Sequence, residues 1–164
     1  MQASNKNLKS PPTMPAALAL PLKMIPDFIH NKALVAALNE IFNDDLREGE
    51  LNFLQGSILH IKVDDANIEF RLTLQGGKLM AAEKSQNSDI CLRGTVYDYL
   101  LLASRSEDTD TLFFNRRLHM QGDTELGLYV KNFLDGMDMD SHKIPGYLES
   151  LLKKSLPVYE RLFS

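Results

Sequence analysis

A chain of 164 residues fits one domain and is long enough to bury a full core, about 70% of its unfolded surface. Its apolar share of 44% and charged share of 24% are those of an ordinary globular protein, and its net charge of −4 argues against a general nucleic-acid binder, which normally shows a basic stripe. Cys91 is the single cysteine, so no intrachain disulfide can form, and no stretch reaches the roughly 18 apolar residues of a bilayer span.

Residues 1–26 begin polar and then carry Pro11, Pro12, Pro15, Pro21 and Pro26. Proline lacks an amide donor and biases its predecessor away from helix, which predicts a tail followed by a strap. Leu18, Leu20, Leu22, Met24 and Ile25 give that strap apolar side chains with which to dock. The short run AALALPL behind Lys6 and Lys9 is interrupted by Pro15 and Pro21, with no convincing cleavage site after it. It therefore reads as part of a cytoplasmic protein rather than as a signal peptide.

Asp27 is placed to cap a helix over about 28–47, in which Leu34, Leu38, Ile41 and Phe42 recur at helical spacing and which stops near Gly49. Lys32, Asn39, Glu40 and Asp44 fall on its outer face. Three strands are expected next. In 56–63, Leu59, Ile61 and Val63 alternate with Ile58, His60 and Lys62. In 67–75, Ile68, Phe70, Leu72 and Leu74 alternate with Glu69, Arg71, Thr73 and Gln75. Gly76-Gly77 then signals a hairpin turn into 78–83. Such a meander is antiparallel, apolar on one face and solvated on the other.

A fourth strand over 88–93 runs to Gly94, after which Thr95 caps a short helix, about 95–104, with Asp98 completing a capping-box pair. Residues 105–111 read as a charged loop and 113–121 as a strand, in which the adjacent Arg116 and Arg117 would point to opposite faces. Gly122-Asp123 turns the chain into a helix ending near Met137, with an apolar stripe of Leu126, Tyr129, Val130, Phe133, Leu134 and Met137. After a linker, Pro145 opens a last helix, with Leu148, Leu151, Leu152, Tyr159 and Leu162 on one face and a kink or break at Pro157. Three segments result: a tail and strap at 1–26, a domain at 27–137, and a linker with an amphipathic helix at 138–164. The expected fold class is α+β, a single antiparallel or mixed sheet of about five strands covered by four to five helices.

Chemistry is sparse. His30, His60, His119 and His142 lack any metal-ligand spacing, and no nucleophile elbow, phosphate loop or dinucleotide fingerprint is present. No cofactor or metal is expected. His119 with Asp123 and Glu125 is the one weak acid/base candidate, but Asp123 opens a helix, where its carboxylate has amides to cap. Cys91 reads as a small hydrophobe. The apolar residues Phe113, Phe114, Leu118, Met120 and the run Leu100–Leu102 exceed what one thin layer needs.

From about Leu54 to Asp135 the element order, with SDICLRGTVYDYLLLA and LHMQGDTELGLYVKNFLD, resembles the sterol-carrier-protein type 2 family. Leu118, Gly122, Asp123, Leu126 and Phe133 meet its closing pattern of hydrophobic strand, Gly-Asp and leucine-rich helix. LPLKMIPDFIHNKALVAALNEIF, FNRRLHMQGDTELGLYVKNFLD and LPVYERL look like a bacterial branch of lipid-binding accessory factors of ubiquinone biosynthesis, associated with the oxygen-independent pathway. That resemblance implies a non-catalytic protein with an apolar cavity. It would bind prenylated intermediates and present them to partner hydroxylases, a pair of iron–sulfur proteins.

The resemblance carries over no catalytic residue, so lipid contacts follow from the faces assigned above. They are Phe70, Leu72, Leu74, Leu92, Leu101, Phe114, Leu118, Met120, Tyr129 and Phe133, with Arg116 a candidate for a headgroup phosphate. The final segment carries Lys143, Lys153, Lys154 and Arg161 against Glu149 and Glu160. With Leu148, Leu151, Leu152, Leu156, Tyr159 and Phe163 it suits either a lid over the cavity or a peripheral membrane contact. The alternatives are a general phospholipid binder, an assembly module whose groove takes partner helices, and an isomerase-type enzyme on the same scaffold.

Overall fold

The computed structural model describes residues 10–18, 27–139 and 146–163. The alternating segments form strands β1 (Leu59–Val63) and β2 (Ile68–Gln75), and the glycine turn leads to β3 (Lys78–Ala81). Gly76 and Gly77 take φ of +58° and +73°, which a side chain would resist. The next strand, β4 (Ile90–Gly94), passes back beside β1 and runs parallel to it, and β5 (His119–Gly122) pairs antiparallel with β4. The sheet is therefore mixed, in the order β3-β2-β1-β4-β5.

The register carries the two-residue period across all the strands. Leu59 lies opposite Leu72, Ile61 between Phe70 and Leu92, and Leu92 opposite Met120, so these residues share one apolar face. The opposite face carries His60, Glu69, Arg71, Cys91 and His119 by the same register. There the His60 ring nitrogen lies 2.8 Å from the Glu69 carboxylate, and burial still holds the imidazole below its ordinary range.

Helices cover the apolar face. The first expected helix divides into α1 (Asp27–Ile41) and α2 (Asn43–Glu48), because Phe42 leaves helical geometry at φ −99°, ψ 21°. Asn39 departs from its expected outward position. Its amide donates to the Leu79 carbonyl and accepts from the Leu79 N–H, both at 2.9 Å, clamping α1 to the edge strand β3. A 3-10 turn at Asn52–Leu54 leads into the sheet.

Helix α3 (Val96–Ala103) carries the expected capping box between Thr95 and Asp98. The segment read as charged loop and long strand holds instead the short helix α4 (Thr109–Phe114). Asp108 caps it by accepting from the Thr111 amide at 2.8 Å, and Leu112, 1% exposed, anchors it. Arg116 then turns the chain at φ +55°, so Arg116 and Arg117 lie in a corner and β5 begins only at His119. With these two differences, the helices outnumber the four or five expected.

Gly122 has φ +134°, and a Cβ there would lie 2.3 Å from the Asp89 carbonyl oxygen. Only glycine lets β5 turn this tightly into α5 (Thr124–Met139), which Asp123 caps by accepting from the Leu126 amide at 2.8 Å.

The last helix, α6 (Gly146–Phe163), runs through Pro157 without a break, so of the expected kink or break the break does not occur. It packs on the side of α3 that carries Tyr97: the Tyr97 and Tyr159 rings stack with centroids 5.8 Å apart. Burial and the accepting Glu160 carboxylate push the Tyr97 hydroxyl up to about 12. Asp65, in the β1–β2 turn, accepts from the Val96 amide at 2.9 Å, the Met14 amide at 2.8 Å and the Tyr159 hydroxyl at 3.2 Å. One carboxylate thus ties α3, the strap and α6 together. Pro12 is buried and Met14 half-buried; Leu20, Leu22, Met24 and Ile25 lie outside the described residues.

Candidate functional site

Between the apolar face of the sheet and its helices lies a pocket of about 460 Å³, partly open to solvent. Ile61, Val63, Phe70, Leu72 and Leu92 form its floor. Leu34, Leu38 and Phe42, at four-residue spacing on and just after α1, line one side, and Val130, Phe133, Leu134 and Met137 of α5 another. Phe133 meets Phe42 edge-on at 5.3 Å and Phe53 at 6.3 Å, an aromatic seam joining α5 to the end of α1 and the 3-10 turn.

Among the described lining residues Tyr99 is the one with a polar side-chain atom, and that atom is occupied elsewhere. Its hydroxyl lies 3.0 Å from the Lys62 carbonyl and 3.1 Å from that of Leu92, and its burial raises the pKa well above the usual tyrosine range. The described walls offer shape and dispersion, with no side-chain group among the described lining residues free to hydrogen-bond a ligand.

Of the residues assigned to this site from their faces, Phe70, Leu72, Leu92 and Phe133 line the pocket. Leu74, Leu101 and Leu118 are buried in the surrounding core, at 2%, 8% and 1% exposure. Leu74 shares the face of Leu72 but lies towards the far end of β2, bridged to Gln55. Leu101 belongs to the side of α3 that bears Tyr97 four residues earlier, while Val96, Tyr99, Leu100 and Ala103 face the pocket. Leu118 lies under Gly94. Met120 shares the face of Leu92 but is taken up by α5, where its sulfur sits close beneath Gly127.

Tyr129 is 48% exposed and stacks on Phe53 at 5.9 Å, beside a smaller surface pocket. Phe114, 87% exposed, ends α4 on the surface. Arg116 is exposed at the following corner and does not line the pocket. The side chain of Leu148 lies outside the described residues. Leu151, Leu152, Lys153, Lys154, Leu156 and Tyr159 lie on α6, and none of them lines the pocket. Face assignment overlooked the contributions of α1, although Leu34, Leu38 and Phe42 carried the signal in their spacing.

His119, Asp123 and Glu125 are exposed, and none lines the pocket. Among the described residues no group of three or more His, Cys, Asp or Glu side chains is placed to hold a metal ion. Cys91 is half-buried, and that burial pushes its thiol up.

A mixed sheet with an apolar pocket between its apolar face and the covering helices defines a small α+β domain of the lipid-carrier type. The SCP-2 sterol transfer family matches residues 35–135, and the chain belongs to that family. The chain is 38% identical over 138 residues to the ubiquinone biosynthesis accessory factor UbiT of Escherichia coli strain K12, covering 84% of this chain and 78% of that protein. Among solved structures it is similar to the UbiJ-SCP2 ubiquinone synthesis protein. There the TM-score is 0.55 at 16% identity, over 69% of this chain and 94% of that one. It is also similar to sterol carrier protein domain 2 of Helicoverpa armigera, with a TM-score of 0.45 at 20% identity, over 66% and 87% of the two chains.

Proposed function

We propose that this chain is a non-catalytic lipid-binding accessory factor of ubiquinone biosynthesis, acting on the cytoplasmic side of the membrane in the oxygen-independent pathway. The pocket takes the isoprenoid tail of prenylated intermediates and leaves the aromatic head outside for partner hydroxylases. The observation that carries this reading is a lining whose described residues present no free polar side-chain atom. The likeness to UbiT, an accessory factor of that pathway, supplies the class of lipid.

Magnitudes favour occupancy. Water entering a pocket of this kind finds no side-chain partner among the described lining residues, which favours an apolar occupant. Burying one five-carbon prenyl unit contributes at most roughly 3–4 kcal/mol. Two or three units therefore cover the ~8 kcal/mol of micromolar affinity, even after substantial association costs.

Native mass spectrometry of the chain purified from a quinone-producing bacterium, with organic extraction, tests the reading. Prenylated phenols or quinones should accompany the wild type and fall sharply in Leu134→Trp, whose bulky ring takes up part of the pocket. Phospholipid alone would replace the quinone assignment with a general lipid role. A lipid-free protein that binds a partner stoichiometrically would mark an assembly module.

A further inference from the structure

Helix α6 carries two apolar stripes, and only one of them is docked. Leu152, Leu156, Tyr159 and Phe163 lie inward, with Leu156 and Tyr159 buried at 7% and 8% exposure. Tyr147, Leu151, Val158 and Leu162 are exposed at 73%, 63%, 57% and 66%. At 3.6 residues per turn these four fall within roughly 60° of the helix circumference. They make a continuous strip along the length of the helix, not scattered surface residues.

The charges beside that strip are of one sign. Lys154, one turn from both Leu151 and Val158, and Arg161, beside Leu162, are both exposed. Glu160 is turned away to accept the Tyr97 hydroxyl. We propose that the outer strip of α6 is a docking surface for an anionic lipid bilayer, the four apolar side chains entering the interface while Lys154 and Arg161 meet lipid phosphates. The local positive charge, on a chain of net charge −4, gives this orientation a reason.

A second copy is a poorer occupant. An antiparallel self-complementary contact about the strip would bring the two copies' Lys154 side chains, at the middle of the helix, together. No described helix is long and apolar enough to cross a membrane, so the contact is peripheral. The inference stands on surface residues, independently of what fills the pocket.

Flotation of the full chain with vesicles of phosphatidylcholine, alone or with phosphatidylglycerol, tests it. The wild type should float with the anionic vesicles. The double variant Leu151→Glu, Leu162→Glu should lose roughly tenfold or more of the bound fraction while keeping its thermal midpoint, because both side chains are exposed. Lys154→Glu with Arg161→Glu should abolish the preference for anionic vesicles. Leu134→Trp should float like the wild type, which separates this surface from the pocket.

Equal flotation on neutral vesicles, no flotation, or unchanged flotation of the Leu151→Glu, Leu162→Glu variant would overturn the proposal. So would a dimer in solution that this same variant dissociates, since the strip would then be an interface between copies.

Discussion

Replacing Asn39 with alanine removes both hydrogen bonds to Leu79 and leaves a half-covered strand edge without partners. The expected loss is about 1–3 kcal/mol, a fall of several degrees in the thermal midpoint of a domain this size. Asn39→Asp should fare no better. A carboxylate still accepts from the Leu79 N–H, but it faces the Leu79 carbonyl oxygen with no proton to donate.

A second residue-scale prediction concerns pH. Burial lowers His60 below its ordinary value of 6.5, despite the neighbouring Glu69, so the unfolded chain takes a proton here before the folded one does. Stability from this site is whole above pH 6.5 and declines as the pH falls through the folded value. His60→Gln should flatten that part of the curve in a series of thermal melts from neutral to mildly acid buffer; an unchanged slope would remove His60 from the account.

The caps at Thr95, Asp98 and Asp123 were legible from sequence because each partner lies three residues away. Asn39 was not, because its partner lies 40 residues on. A two-residue period gives the face a side chain takes, not its place along the strand. That is why Leu74 and Leu118 face inward yet miss the pocket.

Among the elements, α6 depends on a single turn elsewhere in the chain. Asp65 accepts from the strap, from α3 and from Tyr159 of α6, so Asp65→Ala should loosen segments far apart in sequence together. Hydrogen exchange would show faster protection loss around Met14 and Tyr159 while β2 keeps its own. Uniform loss across the sheet would mean that Asp65 holds the whole fold instead. The short helix α4 escaped sequence reading because Leu112, Phe113 and Phe114 favour strand by composition, whereas the Asp108 cap and the burial of Leu112 decide for helix. The unbroken α6 was missed for a related reason. Proline removes one hydrogen bond, and the docked stripe around Leu156 and Tyr159 keeps the helix in place.

For the molecule as a whole, alternation and the glycine turn predicted the meander, but the neighbour of β1 depends on how the chain returns after β3. That return puts Leu92 beside Ile61 and completes the pocket floor. The pocket is shared among α1, the 3-10 turn, α3, α5 and four strands, so no local window of sequence contains it. What the sequence did contain was a surplus of apolar side chains, of which Leu100 and Leu102 line the pocket while Leu118 is buried in the core and Phe114 is exposed.

Tyr99 turns its hydroxyl into the sheet, and this sets a limit on any cargo held by the pocket walls. A cavity that grips only hydrocarbon cannot rank successive oxidation or methylation states of a ring that it does not touch. Substrate and product of one step would be held alike, and so would those of the next. Under the proposed function such a carrier would confer no direction on the traffic it serves; the order of events would come from whichever enzyme changes the exposed ring, and the same vessel would follow a molecule through every stage of its synthesis.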